Sequence, residues 1–392
     1  MLRKILALFP LIALCCFALR PLWADCAELQ PILKPDGTKW RIGYYEGGAY
    51  NDYVPVTKAA LARLAKLGWL PDAAMRCVDG AKDSSGLWAC LSDNPGDYLE
   101  FPKDARWSAN WEDERRAANR ADFIKRARER HDLDLVFALG TWAGQDLASD
   151  EHDIPVVVCS TSNAIASGII KSAEDSGFNH VHARVDPTRY ARQVRLFHEI
   201  VGFSKLGVVF ENSKEGRTYA GMDQIEPLAK ELGFTLIACE APFSGVSLAQ
   251  AEDAVMACHE ELAQKADAVY IAIHRGVNRQ SIKRLLEPFF KRNIPTFAMG
   301  TLYEVNAGAL MSMAQPNFTY AGDFYGDVAA RVLHGERPRD IGQILPDPQD
   351  LRVNLETARL IGFHIPVDVL SDAEEILDGI EDVAAPNANA AK

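Results

Sequence analysis

The chain has 392 residues, 48% of them hydrophobic and 24% charged, which suits a globular protein with room for two cores. A formal charge of −12, with no basic stripe to offset it, excludes nucleic acid and anionic membrane as expected partners. At the N-terminus, Arg3 and Lys4 precede an apolar run over 5–19, and Pro21-Leu22-Trp23-Ala24 offers a cleavage site before Asp25. That is the layout of a secretory signal over 1–24, short for a membrane span. A soluble periplasmic protein is therefore expected. In an oxidising compartment cysteines pair where geometry allows. Cys77 and Cys90 bracket a turn-rich segment and form the favoured disulfide; Cys239 with Cys258 is a second candidate pair. Cys159 ends a β-branched run and reads as a buried thiol.

From residue 41 the pattern alternates strand and helix. A strand over 41–45 leads to a helix over 53–67 that stops at Gly68, and 72–102 reads as irregular. A charged helix over 111–130 precedes the most informative stretch, LDLVFALGTWAGQDLASDEHDIPVVVCSTSN, residues 133–163. It reads as buried strand, Gly-Thr turn, helix, buried strand and a cluster of small polar residues. Farther on, helices are expected from 186, over 219–232, 248–263, 278–292 and 320–333. Strands are expected over 206–210, 234–239, 268–273, 294–299 and 310–313. The residues after Asp378 read as a disordered tail. Strict alternation implies an α/β fold of parallel sheets covered on both faces, and the strand count implies two sheets.

In such sheets ligands sit beyond the carboxyl ends of strands. The residues there are the candidate ligand contacts. Thr141 and Trp142 follow one strand, and Ser160, Thr161, Ser162 and Asn163 follow the next. Glu46, with Tyr50 after a Gly-Gly pair, follows the first strand; Glu46 is the candidate partner of an ammonium. Glu211 and Asn212, then His274 and Arg275, follow strands of the second half, with Arg275 a candidate carboxylate clamp. Tyr219 opens a helix, and Gly300, Thr301 and Tyr303 follow another strand. His180 and His182 lack the further ligands a metal site needs. No nucleophile elbow, zinc-protease motif or phosphate loop occurs. The reading is a binding protein without cofactor or metal. The enzyme alternative rests on a resemblance: Cys159-Ser160-Thr161 is similar to the Cys-Asn-Thr of cofactor-independent amino-acid racemases, which would make Cys239 the second cysteine.

The segments LDLVFALGT, DIPVVV, KLGVVFENSKEG, ADAVYIAIHRGVN, IPTFAMG and GALMSMA follow the order seen in periplasmic substrate-binding proteins of ABC transporters. GDFYGDVAARVLHGERP and LRVNLETARLIGFHIPVDVLSDAEEI resemble the subfamily that includes tryptophan- and tyrosine-binding members. The resemblance implies two Rossmann-like lobes with parallel sheets joined by hinge crossings, the type I periplasmic binding protein or Venus-flytrap fold. It places lobe one at 38–162 plus 300–336 and lobe two at 163–299 plus 337–376, which leaves 377–392 as the disordered tail that the composition already suggests. It implies a monomer that captures a small organic molecule, an amino acid with an aromatic one as the leading candidate, and delivers it to an ABC permease. A module presenting ligand to a membrane sensor is the alternative. The chain departs from the family at Ser160-Thr161-Ser162-Asn163, where the family shows Val-Thr-Asp-Pro, and at Asn179-His180-Val181-His182. The second departure makes His182 a candidate ligand contact.

Overall fold

Two apolar runs, Leu135–Leu139 (LVFAL) and Val156–Cys159 (VVVC), lie side by side at the centre of the first sheet, and every residue in them is buried. Such unbroken runs are what a parallel strand with both faces covered requires. In the computed structural model, which describes residues 29–300, 302–313 and 317–384, this sheet contains β1 (Trp40–Glu46), β2 (Leu99–Glu100), β3 (Arg106–Ser108), β4 (Leu135–Leu139), β5 (Val156–Cys159) and β6 (Val181–Ala183). Its order is β2-β1-β4-β5-β6, with β3 also on β1, and all pairs are parallel.

The second sheet holds β7 (Lys205–Phe210), β8 (Thr235–Glu240), β9 (Ala268–Ile271), β10 (Thr296–Ala298), β11 (Met311–Ser312), β12 (Arg352–Asn354) and β13 (Glu375–Leu377). The order is β13-β12-β11-β10-β9-β7-β8, and β11 with β12 is antiparallel. Each sheet has its own core. One cluster, including Tyr45, Phe123 and Val157, surrounds the first sheet; two others, around Phe197 and Phe289, cover opposite faces of the second. Two lobes therefore stand where two sheets were expected.

Several expected boundaries move. β6 belongs to the first sheet, so the chain crosses between lobes after 183, not at 162–163. Residues 302–312 belong to the second lobe through β11; the first-lobe part of the returning segment is the helix Thr319–Leu333. That helix lies directly on the helix Tyr53–Lys66, where Gly322 and Gly326 face Ala59 and Arg63 too closely for any side chain. The segment over 72–102 is not irregular: it forms helices Asp72–Gly80 and Ser84–Asp93, the second capped by Asp83. The helix expected from 186 begins at Arg189, and the one expected over 219–232 is two helices, Lys214–Tyr219 and Met222–Leu232. Gly221, in the left-handed region, separates them.

The tail also starts later than expected. Glu375–Leu377 pairs with β12, the Glu381 amide donates to the Asn306 carbonyl, and Val383 is buried. The expected signal over 1–24, Cys26, Thr301 and residues 385–392 lie outside the described residues. Among the described residues no helix is long and apolar enough to cross a membrane. Cys77 and Cys90 are bonded, as are Cys239 and Cys258, with Cα separations of 5.8 and 5.6 Å. Cys159 is a buried free thiol whose pKa burial pushes up.

Candidate functional site

The carboxyl ends of both sheets face a cavity between the lobes. From the first lobe it is lined by Tyr50, Asp52, Tyr53 and Trp111, by Thr141 and by Ser160, Thr161 and Ser162. The second lobe contributes Tyr219, Phe243 and Ile273, and the crossings contribute Arg184, Arg189, Gly300, Phe318 and Tyr320. The lining, rings interleaved with hydroxyls and charged groups that converge on one space, suits a small-molecule site.

One wall is a continuous run of rings. Tyr50 lies 5.4 Å from Tyr53, Tyr53 is 6.5 Å from Trp111, Trp111 is 5.9 Å from Phe243, and Phe243 is 4.8 Å from Tyr219. The Trp111–Phe243 and Phe243–Tyr219 contacts carry the run from the first lobe into the second. Trp111 sits in the left-handed region (φ 63°), as does its neighbour Asn110 (φ 51°). Neither is glycine, so the backbone is held there at a cost. What holds it is a pair of bonds: the Trp111 amide donates to the Gly47 carbonyl (2.9 Å) and its indole Nε1 to the Ala49 carbonyl (2.9 Å). A Cβ on Gly48 would sit 2.6 Å from the Trp111 ring, so only glycine leaves the indole room. Ser160, at the end of β5, is also left-handed (φ 55°), and its amide donates to the Tyr325 hydroxyl (3.2 Å). Strain of this kind gathers at ligand clamps.

The charges gather opposite the rings. Arg184 and Arg189 both pair with Asp347, which also accepts a hydrogen bond from Tyr320. Burial alone would raise the Asp347 carboxyl, but the Arg189 and Arg184 charges overcome it and hold it down to about 2. Two cations thus share one anion. Asp52 supplies the balancing charge and has no ion-pair partner among the described residues. Burial pushes its carboxyl up to about 6, against the opposing pull of Arg189.

The lobes touch across the cleft. Gln145 Nε2 donates to Glu215 Oε1 (3.2 Å), Asn163 Nδ2 donates to Asp223 Oδ2 (2.8 Å), and Tyr219 is hydrogen-bonded to Thr141. Arg116 donates to Gln145 Oε1 (3.0 Å) and steadies it. This is a closed arrangement.

The family model of ABC transporter substrate binding proteins matches residues 106–377. The chain belongs to that family. A tyrosine-binding protein of Clostridioides difficile (strain R20291) is 22% identical over 232 residues, 59% of this chain. The match spans 64% of that relative's length, just under two thirds. Among solved structures, a conserved domain protein from Vibrio cholerae superposes with a TM-score of 0.66 at 19% identity. It covers 86% of this chain and 100% of that one. An ABC domain from Streptococcus pneumoniae, solved in complex with L-Trp, gives 0.65 at 18% identity, covering 87% and 100%. At such identities these likenesses establish the shared two-lobed fold.

Within this substrate-binding fold, the expected contacts separate into two groups. Tyr50, Thr141, Ser160, Thr161, Ser162, Tyr219 and Gly300 line the cavity. The others stand behind it. Glu46 is buried and accepts from Tyr44 (2.8 Å), Ser84 (2.8 Å) and Arg106 (3.1 Å), so it cannot meet a ligand ammonium. Trp142 backs Trp111 at 5.4 Å and lies under the Arg116 guanidinium. Asn163 accepts from the amides of Ile165 and Ala166 and bridges to Asp223. His182 is fully buried on β6, bonded to the Gly342 carbonyl.

In the second lobe, Glu211, His274 and Arg275 hold the loop that carries Phe243. Glu211 accepts from the amides of Phe243 (2.6 Å) and Ser244 (2.8 Å). Arg275 donates to the carbonyls of Phe243 (3.1 Å) and Val246 (3.2 Å), which occupies the expected carboxylate clamp. The His274 ring lies 5.4 Å from Phe243. Asn212 donates to Glu240 at the surface, and Tyr303 lies in an adjoining cleft. The racemase alternative fails: Cys239 is bonded to Cys258 in the second lobe, whereas Cys159 is buried in the first.

Sequence reading missed Asp52, Tyr53, Trp111, Arg184, Arg189, Phe243 and Tyr320. Arg184 follows β6, a strand of three residues too short to stand out. Asp52 has a sequence signal: it precedes a helix as a capping residue would, yet makes no side-chain cap bond.

Proposed function

We propose that this protein is an extracytoplasmic receptor, exported to the periplasm by its N-terminal signal. It closes on a free amino acid with an aromatic side chain and passes it to an ABC permease. The observation that carries this is the cavity's charge balance beside its wall of rings. Arg184 and Arg189 against Asp347 leave one positive charge, Asp52 supplies one negative charge, and the whole suits a zwitterion. The ligand ammonium faces Asp52. The carboxylate faces Arg189 and the hydroxyls of Ser160 to Ser162. The side chain stacks in the bay formed by Trp111, Phe243 and Tyr219. The tyrosine-binding relative and the L-Trp complex support the aromatic assignment.

Because the ring wall and the polar bridges span both lobes, a ligand seated there favours the closed form, a shift of population between open and closed states. The protein acts as a monomer, each copy holding a complete cleft. A thermal-shift screen over the twenty amino acids tests the reading. A ligand at about 100 times its Kd adds roughly 2.7 kcal/mol, readily seen as a higher Tm. Stabilisation confined to tyrosine, tryptophan and phenylalanine is expected; none by any amino acid would remove the assignment.

A further inference from the structure

The ligand cavity does not end at Asp52. A second, more open chamber shares Asp52, Arg189, Gly300, Phe318 and Tyr320 with the first. Those shared residues stand where the two chambers adjoin, and a passage there would run between them.

The cations of the outer chamber are unequally engaged. Lys58 donates to the carbonyls of Asp79 and Ala81, both at 2.8 Å, and Arg189 pairs with Asp347. Arg279 has no carboxylate partner among the described residues and lies over the Tyr303 ring at 4.8 Å. It belongs to the second lobe, in the loop after β9, whereas Asp52 belongs to the first. Asn51, beside Asp52, offers a side-chain amide to the same chamber.

We propose that the cleft also accepts a dipeptide with an aromatic N-terminal residue. This rests on the amino-acid reading above. The aromatic side chain occupies the inner chamber and the ammonium meets Asp52 at the passage. The peptide bond runs outward past Asn51, and the terminal carboxylate reaches Arg279. In a free amino acid the carboxylate stays with Arg189 and the hydroxyls of Ser160 to Ser162, so Arg279 is not used. The two ligands therefore differ in one contact, and that difference is measurable.

The test is calorimetric titration of the mature protein with L-Tyr, L-Trp, Tyr-Gly and Trp-Gly, repeated on Arg279→Gln. Arg279 is exposed, and an unchanged Tm confirms that the variant folds. Dipeptide binding by the wild type, weakened about fivefold in the variant while amino-acid binding holds, is the expected result; fivefold matches the strength of a solvent-accessible ion pair. Binding of the amino acids without the dipeptides overturns the extension and leaves the amino-acid reading standing. Equal weakening of both ligand types, or of neither, also overturns the role of Arg279. Failure of all four ligands on the wild type overturns both readings.

Discussion

Replacing Asp52 with asparagine is expected to strengthen the unliganded fold and weaken ligand binding in the same molecule. Asp52 stands at the N-cap of the helix Tyr53–Lys66, but its side chain makes no cap bond, so the substitution removes no helix contact. Burial raises its carboxyl from 3.8 to about 6. The folded pKa lies above the unfolded one, so the folded state holds more protons between pH about 4 and 6, and stability falls as pH rises through that window. At pH 7.5 the ionised carboxylate therefore costs stability. A shift of about two units corresponds to about 3 kcal/mol, and partial solvent access at the cavity reduces this to roughly 1–2 kcal/mol. Asparagine removes that cost above pH 6 and changes little below pH 4. Thermal melts at pH 7.5 and pH 4 should show a Tm gain of a few degrees at the higher pH alone. In the same variant the ligand ammonium loses a charged partner worth about 1.5–3 kcal/mol, so Kd rises about tenfold or more by calorimetry. The wild type should lose about tenfold in affinity between pH 7 and pH 5, as the ionised fraction of Asp52 falls. A variant that is less stable at pH 7.5, or binds equally well, would refute the placement of an unpaired carboxylate at the ligand ammonium.

Other expectations follow from the same contacts. A Cβ at Gly140, where φ is +83°, would meet the Tyr53 hydroxyl at 1.7 Å. Gly140→Ala should therefore cost about 1–3 kcal/mol in denaturant melts and displace a wall of the cavity. Phe243→Ala removes the ring that joins Trp111 to Tyr219. It should raise Kd at least tenfold by calorimetry and also lower Tm, because Phe243 is buried among Trp111, Tyr219 and His274. Burial lowers His182 and His259 to about 4. The unfolded chain then takes up protons first, so stability is lost as pH falls from about 6.5 to 4, by up to about 3 kcal/mol per histidine. His152 and His274 are lowered alike, so the double variant H182Q/H259Q should reduce the slope of stability against pH in that range by about half; an unchanged slope would exclude these two as acid-sensitive groups. Opening the Cys77–Cys90 bond, whose loop spans 13 residues, should cost about 2–3 kcal/mol, read as a lower Tm for C77S/C90S.

The periodicity of the chain was enough to specify two α/β lobes, because parallel strands covered on both faces must be continuously apolar, as LVFAL and VVVC are. The same logic placed Thr141, Ser160, Thr161, Ser162 and Tyr219 at strand or helix ends, where the cavity lies. The family's ordered segments added the binding class. What could not be read locally was which end-of-strand residue faces the ligand and which faces its neighbours. Glu46 and Arg275 have the right chemistry and follow strands. Long-range partners take them instead: Arg106 and Ser84 for Glu46, the carbonyls of Phe243 and Val246 for Arg275. Buried charges must be paired, and the pairing crosses tens of residues.

The charges that do line the cavity come from the crossings and from a helix cap. Arg184, Arg189 and Asp347 meet only because the chain passes between the lobes there and returns. Sequence by itself determined the architecture and the edge of each sheet that would hold a ligand, since both follow from local apolar pattern. Tertiary structure alone decided which polar groups stay unpaired and available to that ligand, because pairing depends on through-space distance that no local pattern encodes.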